Sequence, residues 1–362
     1  MPYFSFSHFT DTRHVGRTPA TKSVSVAALA LLALLLVVTC GCVPKAESDV
    51  VVYSALDEEF AAPMLAAFER EVDHETGVVG KFDVESTKTV GLVNQIIAEQ
   101  SSPVCDVFWN NEIMHTVRLQ KLGLLKPRRW AVQSGWPKDM IASDGSWCGF
   151  AARARVLLIN KSLIASEADY PNSVSDLVDP RWKENCAMAR PLFGTTATHF
   201  AVLSARDGET QTLEMLRKIR DNAIVLSGNK QVAQAVAAGQ IAWGLTDTDD
   251  AIIERDRSNQ LAIVFPDQRS DQPGTLRIPN ALAVLKDAPH PVAAETFADF
   301  IVSAKTEERL AMGLSSQLPI SRESEYRPRV LPREAIRWMK VDFEKAGQDW
   351  PAWSKKVLEV FQ

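Results

Sequence analysis

The sequence predicts an α/β protein of two lobes, built on parallel sheets with a polar pocket at the strands' carboxyl ends. Three observations lead there. A unit of apolar strand, polar turn and amphipathic helix recurs along the chain. One apolar run, Ile241 to Leu245, stops abruptly at Thr246, Asp247, Thr248, Asp249 and Asp250 before helix resumes, and reads as a strand emptying into a pocket. Removal of an N-terminal leader leaves about 320 residues, a length that suits two lobes.

The leader, residues 1–41, carries Arg13, Arg17 and Lys22, then the apolar run Val24 to Val38, then Thr39-Cys40-Gly41-Cys42. At roughly 15 residues the run is short for a bilayer span, which needs about 20, so it reads as a secretory signal with a lipoprotein-like cleavage site. Cys42, preceded by the small Gly41, is the expected lipidation residue, with Cys40 the alternative; an uncleaved membrane anchor is the rival reading. Either way the remainder is exported. The formal charge of the whole chain is −5. The leader takes three basic residues with it and one acid, so the mature chain is more acidic still. No basic run tracks phosphates, which argues against nucleic acid. Cys105, Cys148 and Cys186 remain beyond the leader, enough for one disulfide whose partners the sequence leaves open. No CxxC pair or HxxxH spacing points to zinc.

The repeating unit begins with the strand Val50-Val-Val-Tyr53, whose turn from Ser54 leads to a helix with Phe60, Met64, Leu65 and Phe68 on one face. Val79 to Val84 and a helix carrying Val90, Val93, Ile96 and Ile97 repeat it, and Asp106 to Trp109 repeats it again before a helix through Leu119. Such alternation predicts parallel strands joined by right-handed crossovers. Arg155 to Asn160 is a crossing from the first lobe to the second. Past it come a short helix at Ser173 to Leu177, a strand at Cys186 to Ala189, and helices at Thr212 to Arg220 and Lys230 to Ala238. Leu261 to Phe265 and Thr275 to Leu285, interrupted at Pro279-Asn280, carry the chain back, so two crossing strands form a hinge. The organisation expected is lobe one at 49–152, lobe two at 153–265, a return segment at 266–325 and C-terminal helices at 326–362, where Trp338, Trp350 and Trp353 fall.

Three carboxylates as close as Asp247, Asp249 and Asp250 repel one another unless a cation, an amine or internal donors offset them. The alternative is a helix cap followed by first-turn acids that the macrodipole favours. Arg153 and Arg155 lie two apart on an extended stretch and face one side, where they clamp an anion or pair with acids such as Asp106 or Glu112. Gly194, Thr195 and Thr196 open a helix whose N–H groups suit an anion, or serve as an ordinary cap. Asn110, Asn111 and Glu112 end a strand, fit for ligand contact or for turn-making. Lys88 follows Thr87 at a helix start. His115 and His199 read as helix residues facing packing or solvent, and Trp109 and Trp243 as core.

The order of parts resembles the extracellular solute-binding proteins of ATP-binding-cassette importers, nearest to the ferric-iron-binding branch. The resemblance rests on Val51-Val-Tyr-Ser-Ala-Leu-Asp57, Cys105-Asp-Val-Phe-Trp109, Gly123-Leu-Leu125, Phe150-Ala-Ala-Arg-Ala-Arg-Val-Leu157, Val232 to Leu245, and Ile278-Pro-Asn-Ala-Leu282. It implies the type II periplasmic-binding-protein fold, two α/β lobes closing on a ligand over a two-strand hinge. It also implies a permease and its ATPase as partners, and iron(III) as the transported ligand. One departure stands out: where iron-binding relatives carry adjacent tyrosines, this chain carries Asp249 and Asp250. Their carboxylates are hard oxygen ligands, suited to a metal ion or to the ammonium of an organic solute. The expected ligand-binding set is Ser54, Asp57, Thr87, Asn110, Glu112, Arg153, Thr195, Thr196, Asp247, Asp249 and Asp250. A hydrolase using two of Asp247, Asp249, Asp250 and Glu112 is the enzyme rival, unsupported by any Gly-x-Ser-x-Gly elbow or phosphate loop. A sensor subunit for a membrane receptor is the other.

Overall fold

A computed structural model describes residues 49–72, 76–82, 88–132, 136–321, 324 and 326–362. The leader with Cys42, and Thr87, lie outside the described residues. The chain order is β1 (Val50–Ser54), α1 (Glu58–Glu71), β2 (Val78–Phe82), α2 (Lys88–Ala98), β3 (Val107–Asn110) and α3 (Met114–Lys121). β4 (Cys148–Asn160) follows, then β5 (Cys186–Ala189), α4 (Gly194–Asp207), α5 (Glu209–Asn222), β6 (Ile224–Leu226), α6 (Asn229–Ala237), β7 (Trp243–Asp247), α7 (Thr248–Arg257) and β8 (Leu261–Val264). β9 (Arg277–Val284), α8 (Pro291–Ile301), α9 (Ala304–Met312) and α10 (Phe343–Val360) complete it. Among the described residues no helix is long and apolar enough to cross a membrane.

The strands lie in the order β2-β1-β3-β9-β4-β7-β5-β6, with β8 also on β4. Within each half the pairs are parallel, β1 with β2 and β3, and β5 with β6 and β7. Where the halves join, β3–β9, β4–β9, β4–β7 and β4–β8 are antiparallel. Parallel pairing was the expectation throughout; the joining strands depart from it because a chain that leaves one half and returns must run both ways. β4 is the long member, buried along its whole length. Its first part pairs with β9 and its last with β7 and β8, so one strand serves both halves.

Two strand expectations are corrected. Pro279 does not interrupt its strand: β9 runs through it, and the register slips opposite, between Phe150 and Ala152 of β4. A proline has no N–H to place in a ladder, and the bulge accommodates that gap. Ala151 in the bulge takes a left-handed φ of 34°, its N–H held by the Glu307 carboxylate at 2.7 Å. The strand before α7 runs two residues past Leu245, so Thr246 and Asp247 are strand and the helix opens at Thr248.

The C-terminal helices expected over 326–362 are one helix, α10, whose buried face holds Trp350 and Trp353. It lies across both halves. Trp350 stands edge-on to His115 of α3, and Arg220 of α5 donates to the Val360 carbonyl at 3.3 Å. The short helix expected at Ser173 is a 3-10 turn over Val174–Val178. Cys105, Cys148 and Cys186 are buried free thiols, so no disulfide joins them. Each packs in a separate strand region, and burial holds all three thiols well above their usual range.

Candidate functional site

A cavity of about 300 Å³ opens where helix N-termini converge. α1 contributes Asp57 and Glu58, α2 Thr89, α4 Gly194 and Thr195, α6 Asn229 and Lys230, and α7 Asp249 and Asp250. The cause is topological. Each of these helices follows a strand of one parallel set, so its first turn falls at the strand's carboxyl end with N–H groups unpaired within the helix. Gly194 adopts φ 56° and has open space where a side chain would project, which leaves the α4 terminus bare.

Asp247 is the N-cap of α7 by position but caps nothing. Its carboxylate instead accepts from Arg155 Nη1 at 2.7 Å, from Asn229 Nδ2 at 2.8 Å and from the Thr195 hydroxyl. Arg155, fully buried, also donates to Thr195 Oγ1 at 3.1 Å and Thr196 Oγ1 at 3.0 Å. These bonds answer both expectations for the residue: Arg155 is a structural partner, and its acid is Asp247 rather than Asp106 or Glu112. Removing either charge would leave the other buried and uncompensated.

Arg153 sits two residues earlier on β4 and reaches into the cavity. It donates from Nε to Asp249 at 2.9 Å, from Nη1 to the Asn111 carbonyl, and from Nη2 to Asn280 at 3.4 Å. Burial pulls the guanidinium pKa down, but Asp249 and Asp247 outweigh it and the net direction is up.

Asp250 is the acid left over. Its carboxylate has no hydrogen-bond or ion-pair partner among the described residues, and oxygens of Asp247, Asp249 and Asp250 lie within 4.8 Å of one another. Burial raises the Asp250 pKa well above the carboxylate range, and Asp249, Asp247 and Asp57 push it further. Asp249 is raised too, by burial, with Arg153 opposing. Such a cluster, half-buried and short of positive charge, suits a hard cation or an ammonium. The bare termini of α4 and α6 offer donors to an anion on the other side.

Asp57, Arg153, Thr195, Asp247, Asp249 and Asp250, all expected in the site, do line the cavity. Ser54, Asn110, Glu112 and Thr196 do not. Ser54 is buried, its hydroxyl bonded to Leu56. Asn110 donates to Glu112 and Thr116 at 2.9 and 3.0 Å. Glu112 accepts from the Met114 and His115 amides and contacts the His115 ring at 2.8 Å. Those two shape the turn before α3 instead. Asn111 between them lines the cavity, a role its neighbours were equally open to. His199 is buried, its pKa held well below the usual imidazole range by burial and by Arg155, and it is bonded through neither ring nitrogen among the described residues. Trp109 and Trp243 are core. The segment missed was Gly228-Asn229-Lys230-Gln231 at the start of α6. Its signal was present: Ile224-Val-Leu226 before Ser227-Gly228 is another strand, polar turn and helix, with a strand too short to stand out.

Two α/β halves sharing a crossing strand, with a polar cavity among their helix N-termini, define a ligand-capturing binding protein. The chain belongs to the bacterial extracellular solute-binding protein family, whose model matches residues 114–346. It is 26% identical over 341 residues to the Fe(3+)-binding periplasmic protein of Serratia marcescens, covering 93% of this chain and 96% of that one. Among solved structures it resembles iron-bound HitA from Pseudomonas aeruginosa, with TM-score 0.76 and 20% identity over 85% of this chain and 99% of that one. It also resembles the periplasmic binding protein AfuA from Actinobacillus pleuropneumoniae with fructose-6-phosphate bound, at TM-score 0.73 and 19% identity, covering 86% and 98%.

Proposed function

We propose that this chain captures one small solute between its lobes and hands it to the permease and ATPase of an ATP-binding-cassette importer, acting by capture and not by turnover. Residues 1–41 direct export and Cys42 carries a lipid anchor. Residues 49–152 with 266–325 form one jaw and 153–265 the other. The carrying observation is the acid cluster of Asp247, Asp249 and Asp250, with more carboxylates than the two arginines cancel. Its solute therefore presents positive charge.

Ferric iron is the first candidate, being what the Serratia relative is named for. Among the described residues no tyrosine lines the cavity, so oxygen ligation would fall to Asp250 and Asp249, with Asp57 on the same cavity. An organic solute with an ammonium on the acids and an acid group on the α4 and α6 termini is the second reading, favoured by those bare termini. Metal analysis of protein purified without chelator separates the two. Near one iron per chain supports the first; iron-free protein that melts higher with an aminophosphonate supports the second. A ligand at 100 times its dissociation constant adds about 2.7 kcal/mol. Absence of iron, together with no shift from ferric or divalent ions, amines, aminophosphonates or sugar phosphates, would sink the capture role.

A further inference from the structure

β4 serves both halves, and the bulge within it carries a strained residue. In a bulge the residue that turns left-handed is ordinarily glycine, which has no Cβ to crowd its neighbours. Here it is Ala151, fully buried, at φ 34°. Pro279 opposite accounts for the extra residue but not for the sign of that φ. Both polar atoms of Ala151 are held by side chains. Its N–H donates to Glu307 of α9 at 2.7 Å, and its carbonyl accepts from Asn280 Nδ2 of β9. The Glu307 carboxylate also accepts the Ile320 and Ser321 amides at 2.9 and 2.7 Å, so one buried acid pins the bulge to the segment after α9. Ala152 next to it exchanges N–H and carbonyl bonds with Leu318 of that segment, each at 2.7 Å.

An alanine is disfavoured in the left-handed region by roughly tenfold. It stays there only where its surroundings hold it, and such residues cluster at switches. The position fits one: β4 pairs with β9 on both sides of the bulge and takes up β7 from Arg155 on, so a turn at Ala151 redirects the part of β4 that enters the second half. The clamp also reaches the cavity. Asn280 Oδ1 accepts from Arg153 Nη2 at 3.4 Å, and Arg153 holds Asp249 of one half and the Asn111 carbonyl of the other. We infer that Ala151 is the pivot of the closure, held left-handed by Glu307 and Asn280 while the lobes are together and relaxing to extended backbone as they part. Its strain favours the open form, and a bound cation offsets it. This rests on the capture reading above and adds the residue on which the movement turns.

The test is small-angle scattering of the full chain, first without cargo and then through a titration with ferric nitrilotriacetate. Ala151→Gly removes the penalty on the closed form and is expected to raise the closed-to-open ratio about tenfold. Its radius of gyration without cargo falls, or iron closes it at up to about tenfold lower concentration. Glu307→Gln keeps the shape but cannot accept all three amides, and is expected to move both readouts the other way. A residue strained for the sake of the fold alone would change the melting temperature and neither readout. Ala151→Gly that matches wild type in radius and in iron midpoint, or that shifts toward the open form, would overturn the proposal whether or not Glu307→Gln folds. If ferric nitrilotriacetate compacts wild type and Ala151→Gly alike, the capture role stands and the pivot alone falls. If iron changes no radius, the comparison without cargo decides.

Discussion

Asp250 shows how a single side chain carries the site's charge imbalance. Asp247, Asp249 and Asp57 push against it, and Arg153, the cation that opposes them, already serves Asp249. An acid whose folded pKa is raised holds its proton in the native state over a window where the unfolded chain has lost it. Stability is therefore greatest below the ordinary aspartate value and falls as pH climbs toward the raised one. Asp250→Asn is expected to be more stable than wild type at pH 7, by about 1–2 kcal/mol, the usual scale for a buried polar group left without a partner, and equal to it near pH 3. Urea melts at both values check this; equal stability at pH 7 would show that the carboxylate is already compensated. That Asp247, Asp249 and Asp250 belong together was legible, because they are neighbours in sequence. That Asp247 is used up by Arg155 was not, since 92 residues separate the pair.

At the scale of elements, α10 packs on α3, α4 and α5 and so ties the two halves together. Its Gly347 packs so closely on α3 that an added Cβ would fall 2.6 Å from the Val117 Cβ. Gly347→Val is expected to cost about 1–3 kcal/mol through overpacking, read as a lowered urea midpoint; an unchanged midpoint would mean that α10 shifts freely on α3. The helix was legible as an aromatic-rich C-terminal segment, but its contact with α3 and α5 was not, because irregular tryptophan spacing names no partner. The strand, turn and helix units were legible from period alone. β6, with three residues, fell below what a pattern can mark, and the α6 terminus was lost with it.

For the whole molecule, the proposed closure has identifiable ties across the gap. Thr198 of α4 donates to Glu112 at 3.1 Å, Arg153 joins Asn111 to Asp249, and Lys230 faces Glu59. A cation that neutralises the Asp250 cluster favours the closed population by as much as its affinities for the two forms differ. Small-angle scattering at pH 7 is therefore expected to give a smaller radius of gyration with ferric ion or the tightest amine than without, and Asp250→Asn is expected to blunt the change. An identical radius with saturating ligand would show that the lobes do not move.

By itself the sequence determined the class of fold and the neighbourhood of the site. Apolar period and polar turns are local, and the parallel strands that precede the site helices bring their carboxyl ends to the cavity. It likewise determined that Asp247, Asp249 and Asp250 share one turn. Only tertiary structure decided which acids keep their charge unanswered, because cancellation depends on arginines brought from β4. It also decided that Asn110 and Glu112 build a turn while Asn111 meets the cavity. Those are properties of distance and burial between segments far apart in the chain, and no periodicity records them.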